Sequence, residues 1–461
     1  MIADLKSYAE YKDSGLPWLG HVPQHWQVRR IKTALQEVDR RSSEGLEPLL
    51  SLRMQAGLVN HHASGGRPIP PSALIGYKRV LPGEIVMNRM RASLGLFAAA
   101  TSEGLVSPDY AIFRPTGQVN VAYAVQLFRT PSMAAVFRLE STGLGTGESG
   151  FLRLYSDQFG RLAIPVPPVS EQAAIVRFLD WANRRLEGAI RAKRKVIGLL
   201  NEQKQAVIHR AVTRGLDSSV PSKPSGIDWL GDIPLHWALS PNRAFLRIRK
   251  VLVGERHKQF RLLSLTKRGV IVRDLSEMRG KFSADMGTSQ EVRSGDLVFC
   301  LFDVPETPRT VGLSRHEGMI TGAYTVMECS DLEMAKFLEL FYIAMDDRKL
   351  LSPMYSGLRN TIPKDRFLGA KTPIPPAGER AGILEAVRNE TASLNQTTSR
   401  LEREIELLRE YRSRLVADVV TGRLDVREAA ARLPDEAKPE TGGEPEGETE
   451  EAELTDEEVE A

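Results

Sequence analysis

Two cysteines in 461 residues, Cys300 and Cys329, are too few for a disulfide framework and cannot form a Cys-x-x-Cys metal pair. That scarcity suits a reducing compartment, and the chain is expected to be cytoplasmic. No stretch approaches the roughly 20 apolar residues that span a bilayer, and Met1 to Gln24 lacks the apolar core of a signal peptide, so no membrane association is expected. The common catalytic signatures are missing as well: no P-loop, no His-Glu-x-x-His, no Gly-x-Ser-x-Gly, no dinucleotide Gly-x-Gly-x-x-Gly after a strand. Residues 143–150 are glycine-rich but lack the spacing and the lysine of a phosphate cradle, and they read as a connection. His61-His62 has no cysteine or carboxylate at ligand spacing, so no metal is assigned. Asp303 and Glu306 form a carboxylate pair after a strand, as some nucleases use, but no lysine follows and the first half has no equivalent. A self-sufficient enzyme is excluded on these grounds.

What is present belongs to a folded protein of several domains. Apolar residues make up 42% and charged residues 26%, which rules out a wholly disordered or collagen-like chain, and the length suits about three domains. The net charge of +3 hides a split: residues 434–461 carry 13 acidic side chains against one lysine, leaving +15 on everything before them. A body this basic favours a polyanionic partner, with nucleic acid the leading candidate.

The sequence is written twice. Ser14-Gly-Leu-Pro-Trp-Leu-Gly-His-Val-Pro-Gln-His-Trp26 returns 211 residues later as Ser225-Gly-Ile-Asp-Trp-Leu-Gly-Asp-Ile-Pro-Leu-His-Trp237. These segments hold four of the five tryptophans, and their Trp, Gly and Pro content suits buried plugs with set turns. Ile164-Pro-Val-Pro-Pro168 with Glu171 returns after 208 residues as Thr372-Pro-Ile-Pro-Pro376 with Glu379. The same offset sets Asp157 and Phe159 on Asp365 and Phe367, Val212-Thr213 on Val420-Thr421, and Leu216-Asp217 on Leu424-Asp425. Between these anchors, residues 27–150 and 238–358 share little beyond a turn and strand at Gly83-Glu-Ile-Val and Gly295-Asp-Leu-Val. Each half is a constant frame around a divergent middle.

A long helical pattern follows each Pro-rich exit, with a cap at Ser170 in the first copy and a start shortly after Gly378 in the second. Heptad spacing selects Leu179, Asn183, Leu186, Ile190, Lys193, Ile197, Leu200, Lys204, Val207 and Ala211 as one seam. Its counterpart is Val387, Thr391, Leu394, Thr398, Leu401, Ile405, Leu408, Arg412, Leu415 and Val419. The polar interruptions Lys204 and Arg412 share a register, so the two helices are expected to pair, antiparallel, mainly through Leu186, Ile190, Ile197, Leu200, Leu394, Leu401, Ile405 and Leu408. The alternative is that each helix only covers its own domain.

The middles read as mixed strand and helix, with strands over Glu84–Met87, Leu105–Phe113, Asp296–Phe302 and Ile320–Met327 and helices over Ala122–Leu139 and Met334–Met345. Arg89 and Arg91 follow one of these strands, and Arg309 and Arg315 occupy the corresponding region of the second half. Arginine there can read guanine bidentately or anchor a phosphate. Arg268 and Arg273 join this candidate DNA-binding set. Further basic residues are Arg29, Arg30, Lys32, Arg40, Arg41, Lys267, Arg279 and Lys281.

The paired Ser-Gly-x-x-Trp-Leu-Gly-x-x-Pro-x-His-Trp segments, the paired Pro-x-Pro-Pro exits with Glu171 and Glu379, and the long helix after each resemble the specificity subunit of type I restriction-modification enzymes. The resemblance runs over nearly residues 8–425 and is specific through the order and duplication of its motifs. It implies an α+β fold: two pseudo-symmetric mixed α/β target recognition domains separated by two long antiparallel coiled-coil helices. The corresponding division is 1–168 for the first recognition domain with its N-terminal segment, 169–217 for the first spacer helix, 218–376 for the second recognition domain and 377–425 for the second spacer helix. Residues 426–461 depart from the resemblance and are expected to form an acidic, disordered tail.

The resemblance further implies a non-catalytic subunit that binds double-stranded DNA sequence-specifically, each domain reading half of a bipartite, asymmetric target. Its partners would be two methyltransferase subunits, which use S-adenosylmethionine, and restriction/translocase subunits, which use ATP and Mg. No cofactor is expected in this chain. A helix from Leu179 to Ala211 is a rod of about 48 Å at roughly 1.5 Å per residue, more than one turn of B-DNA at about 34–36 Å, and such a rod would set the number of unread base pairs. The competing class is a structural adaptor whose globular parts bind proteins and whose helices only space them; salt-sensitive, sequence-specific DNA binding separates the two.

Overall fold

The computed structural model describes residues 5–54, 56–144, 151–273, 286–307, 309–329 and 331–434. The chain divides into two compact units, one running to Ala189 and resuming at Leu407, the other Ile190–Glu406. The long helices Val169–Arg214 and Ala377–Val420 both cross this division, so each unit owns a part of each helix. The Pro-x-Pro-Pro exits explain where the helices begin: Pro168 cannot continue the preceding strand ladder, and its carbonyl accepts from the amides of Glu171 and Gln172.

In the first unit a four-stranded antiparallel sheet runs in the order Leu35–Val38, Tyr110–Pro115, Ile85–Asn88, Phe97–Ala99. Side chains alternate between its faces, and both faces are apolar. Ile85, Met87, Phe97, Ala111 and Phe113 point into a large core with the helices Val121–Phe128 and Pro131–Glu140. Ile175, Phe178, Leu179 and Ala182 of the first long helix and Leu415, Val419 and Val420 of the second complete that core. Val86, Ala98 and Ile112 point the other way, into a smaller core under the paired strands Leu50–Arg53 with Gly57–Asn60 and Lys78–Val80 with Gly104–Val106.

The second unit repeats this plan strand for strand. Its sheet order is Leu246–Ile248, Thr325–Cys329, Leu297–Phe299, Val311–Leu313. Leu297 and Phe299 face the large core with the helix Leu332–Asp347, while Val298 and Val326 face a small core with Leu263, Val270, Val292 and Ile320. Leu263–Thr266 pairs with Gly269–Val272, and Gln290–Val292 with Gly318–Ile320, matching the two extra pairs of the first unit. Ile208, Ala211 and Val212 close the first long helix against this core, and Ile383 and Val387 open the second against it.

Several elements differ in detail from their sequence-based expectation. Leu105–Phe113 is two strands, Gly104–Val106 and Tyr110–Pro115, because Ser107-Pro108 makes a turn between them. Ile320–Met327 is likewise split by the turn at Thr321–Tyr324. The helix expected over Ala122–Leu139 breaks at Pro131, where the Thr130 hydroxyl caps a second helix by accepting from the Met133 amide at 3.3 Å.

The tail beyond Asp425 needs a larger correction. Residues 427–431 form a helix, and Val426, Ala429, Ala430 and Leu433 are buried in the first unit. Their spacing of i, i+3, i+4, i+7 is that of an amphipathic stripe, so this stretch belongs to the fold and not to the acidic tail. The acidic run 435–461, Arg279 and Lys281, and most of the glycine-rich run at 145–150 lie outside the described residues.

Candidate nucleic-acid interface

The frame that positions each middle is a clamp between the two repeated motifs. Trp26 and Trp237 are wholly buried. The Trp26 indole Nε1 donates to Glu171 Oε1 at 2.9 Å, the Tyr8 hydroxyl donates to the same oxygen at 2.6 Å, and His25 Nε2 lies 2.7 Å from Glu171 Oε2. In the second unit Trp237 Nε1 is 3.1 Å from both oxygens of Glu379, and His236 Nε2 is 2.6 Å from Oε2. Each glutamate sits in the first turn of a long helix, where the helix dipole favours negative charge. Burial, reinforced by the bond to Glu171, pushes the Tyr8 phenol far above its ordinary range. The glycine past each long helix closes the clamp in a left-handed conformation: a Cβ on Gly215 would come 2.8 Å from Glu379 Oε1, and one on Gly422 would come 2.4 Å from Pro23 Cδ.

A second repeated device holds each sheet edge. Arg40 pairs with the buried Glu84, and Arg249 reaches the buried Asp296 at 3.1 Å. Both carboxylates also accept a backbone amide, from Leu81 and from Arg293. They stand at the position that follows the glycine in Gly83-Glu-Ile-Val and Gly295-Asp-Leu-Val, so the shared pattern encodes an internal ion pair. Burial raises the Asp296 carboxyl despite Arg249 beside it.

The six candidate arginines separate by exposure. Arg89 is only 18% exposed; it pairs with Glu37 at 2.8 Å and donates to the Ser156 hydroxyl at 3.1 Å. Arg309 is 17% exposed and pairs with Asp347 at 3.0 Å, and both act on Lys204 of the first long helix, which burial and Arg309 push below its ordinary pKa. Both arginines are thus held in internal ion pairs and expose only a small part of their side chains. Their carboxylate partners come from distant elements and carry no sequence signal.

Arg268 sits with Lys267 in the two-residue tip between Leu263–Thr266 and Gly269–Val272, both exposed, and Arg315 is exposed after Val311–Leu313. Arg91 is half-buried beside the exposed Met90. Arg91, Arg268 and Arg315 make no side-chain hydrogen bond or ion pair among the described residues, whereas the half-buried Arg273 is engaged. Asp303 is held below the usual carboxylate range by its bond to Arg359, and His61 is bonded to the Ser51 hydroxyl at 2.8 Å. Among the described residues no group of three or more His, Cys, Asp or Glu side chains is placed to hold a metal, and no helix is long and apolar enough to cross a membrane.

Every heptad position named from sequence on the two long helices is buried or half-buried, with Leu186, Ile190 and Ile405 buried and Ile197, Leu200, Leu394, Leu401 and Leu408 half-buried. Within the second unit Lys193 pairs with Glu404, Lys204 with Asn395 at 2.7 Å, and Arg210 with Glu390 at 3.7 Å. As the first helix advances the second retreats, so they run antiparallel. In the first unit Arg412 pairs with Glu187, the same two positions as Lys204 and Asn395 after the 208-residue offset.

No family model matches the chain, and no curated protein matches it. Solved structures do. A chain from the structure described as the structural basis underlying complex assembly and conformational transition of the type I R-M system aligns with a TM-score of 0.60 at 12% identity, over 87% of this chain and 98% of that one. The HsdS subunit from Thermoanaerobacter tengcongensis aligns at 0.44 and 13% identity over 87% and 98%. The S subunit of a type I restriction-modification system from M. genitalium aligns at 0.31 and 13% over 86% and 96%. The first likeness shows that this chain has the fold of that type I R-M protein.

Proposed function

We propose that this chain is the specificity subunit of a type I restriction-modification complex in the cytoplasm, a DNA-binding subunit without chemistry of its own. One observation carries this: two units of identical strand order hang on parts of the same antiparallel helix pair, yet present different side chains at corresponding places. A shared frame with divergent tips is what reading two different half-sites of double-stranded DNA requires, since phosphate contacts can be common and base contacts must differ. Among the six candidate arginines, Arg268 and Arg315 in the second unit and Arg91 in the first make no side-chain hydrogen bond or ion pair among the described residues, and we assign the first contacts with DNA to them. The target is then bipartite and asymmetric, with an unread gap between the half-sites.

In this reading the long helices seat two methyltransferase subunits, and restriction/translocase subunits join them. S-adenosylmethionine, ATP and Mg serve those partners. A methyltransferase takes its adenine out of the stack, so the specificity subunit has to hold the duplex in place while that happens.

The test is to co-express the chain with the methyltransferase encoded beside it and to map methylated adenines across the host genome. A split, asymmetric motif that disappears when this chain is omitted is the expected result. Within it, Arg268→Ala is expected to weaken binding or relax preference in one half-site only, by about 1–3 kcal/mol if the side chain reads a base. A soluble complex of both proteins that yields no motif and no salt-sensitive DNA binding would leave the structural adaptor as the function.

A further inference from the structure

The second unit carries one leucine whose placement the fold does not require. Leu358 is completely exposed, at 105% of its reference area, more than any other large apolar residue described. It stands at the tip of a short hairpin in which the Ser356 and Thr361 backbones exchange hydrogen bonds of 2.8 and 3.0 Å. The turn between them is held on both sides of Leu358. Gly357 and Asn360 both take left-handed conformations, and the Asn360 amide donates to the Gly357 carbonyl at 3.2 Å.

Arg359 ties this tip to the sheet. Its carbonyl accepts from the Asp303 amide at 2.9 Å, its guanidinium pairs with the Asp303 carboxylate, and it lies over the Phe302 ring at 5.7 Å. Asp303 is itself left-handed, and the Ile362 amide donates to the Leu301 carbonyl at 2.7 Å. Non-glycine left-handed residues are uncommon, and among the described residues the chain has three: Asp303, Lys349 and Asn360. Asp303 is one member of this ion pair, and Asn360 follows the other. Backbone strain of this kind is retained where a side chain must be held in a set direction. Here the direction is outward, and the residue so aimed is a leucine in water.

The surroundings are basic. Between Arg348 and Arg366 the chain has five exposed cations against the single acid Asp365; Arg359 is paired with Asp303 and Lys349 with Asp346 at 3.0 Å, while Arg348, Lys364 and Arg366 have no carboxylate partner among the described residues. Arg366 is bonded to the Pro353 carbonyl at 3.0 Å, which draws the two ends of this stretch together. A stiff apolar tip beside cations suits a duplex: the cations meet phosphates, and the leucine meets apolar surface either at a thymine methyl or, where it enters the stack, between bases.

We infer that Leu358 is a wedge that enters a base step of the target and partly unstacks it. This rests on the DNA-reading role proposed above and adds a specificity element that needs no hydrogen bond, because flexible steps open more readily than stiff ones.

The experiment uses the full chain in complex with its methyltransferase and duplexes of the mapped motif. Single adenines or cytosines other than a methylated adenine are replaced in turn by 2-aminopurine or pyrrolocytosine, which covers every base pair except those of the methylated adenines. Wild type is expected to raise the fluorescence severalfold at one step. Leu358→Ala should abolish that rise and weaken target binding about tenfold without changing its salt dependence, while Leu358→Phe should keep both. The leucine touches nothing it must pack against, so the alanine variant should melt with the wild type. Equal fluorescence and equal affinity in Leu358→Ala would overturn the wedge while leaving DNA recognition standing. A wild-type complex that does not discriminate the target would remove the DNA-reading role and the wedge with it.

Discussion

Glu171 and Glu379 occupy the same place in their units, yet they do not bear the same load. Glu171 is 4% exposed and receives three partners, Trp26, Tyr8 and His25. Glu379 is 26% exposed and receives two, because the position equivalent to Tyr8 is the short Ser219. Removing an acceptor strands each buried donor at about 1–3 kcal/mol, reduced where water can enter. Glu171→Ala is therefore expected to destabilise the first unit by about 2–4 kcal/mol and Glu379→Ala the second by about 1 kcal/mol, with Glu171→Gln in between. Calorimetric unfolding checks the order, and equal losses would mean that the tryptophans act only by filling space. Sequence made the tryptophans conspicuous and left the glutamates as mere neighbours of a proline motif. The pairing was hidden because its partners lie 145 and 142 residues apart, although both motifs recur together, which is itself the available sign.

At the scale of elements, periodicity found the long helices and their buried stripe, since only a helix gathers residues at 3,4 spacing onto one face over so long a run. Short strands were located but misjudged in length, because the polar turn at Ser107-Pro108-Asp109 lies inside a run that is apolar on both sides and was read as continuous. The arginines show the limit of such reasoning: nothing local in the sequence tells that Glu37 comes within reach of Arg89 and Asp347 within reach of Arg309. The helix pair carries a testable version of the repeat. Arg412 and Glu187 are 35% and 44% exposed, so their pairing is screened and worth about 0.2–1 kcal/mol. Arg412→Glu places two carboxylates together and should lower stability by a similar amount, and adding Glu187→Arg should restore it. A double-mutant cycle by denaturant titration measures that coupling. A cycle that closes to zero would mean that the seam alone, through Ile190, Ile405 and their neighbours, holds these helices.

For the whole molecule, the important fact is that the two units draw on the chain differently. The second is one continuous segment, Ile190–Glu406, whereas the first needs both ends of the chain. Its N-terminal and C-terminal segments are joined where the Asp425 amide donates to the Lys6 carbonyl at 2.8 Å and where the Tyr11 hydroxyl donates to the Gly422 carbonyl at 3.2 Å. Residues 426–434 extend this closure: Arg427 lies over the Tyr8 ring at 5.1 Å, and Arg177 of the first long helix donates to the Leu433 carbonyl at 2.9 Å. Val426 and Leu433 are buried at 0% and 6% exposure, each worth about 1.5–3 kcal/mol before the entropy of ordering the segment is set against it, and Ala429 and Ala430 are buried beside them. A chain ending at Asp425 should accordingly lose roughly 2–4 kcal/mol in the first unit and nothing in the second. A chain ending at Pro434, without the acidic run, should melt as the full protein does. Scanning calorimetry of the two truncations distinguishes these outcomes: if the shorter chain melts like the longer one, the helix at 427–431 is only resting on the surface, and the boundary of the fold returns to Asp425.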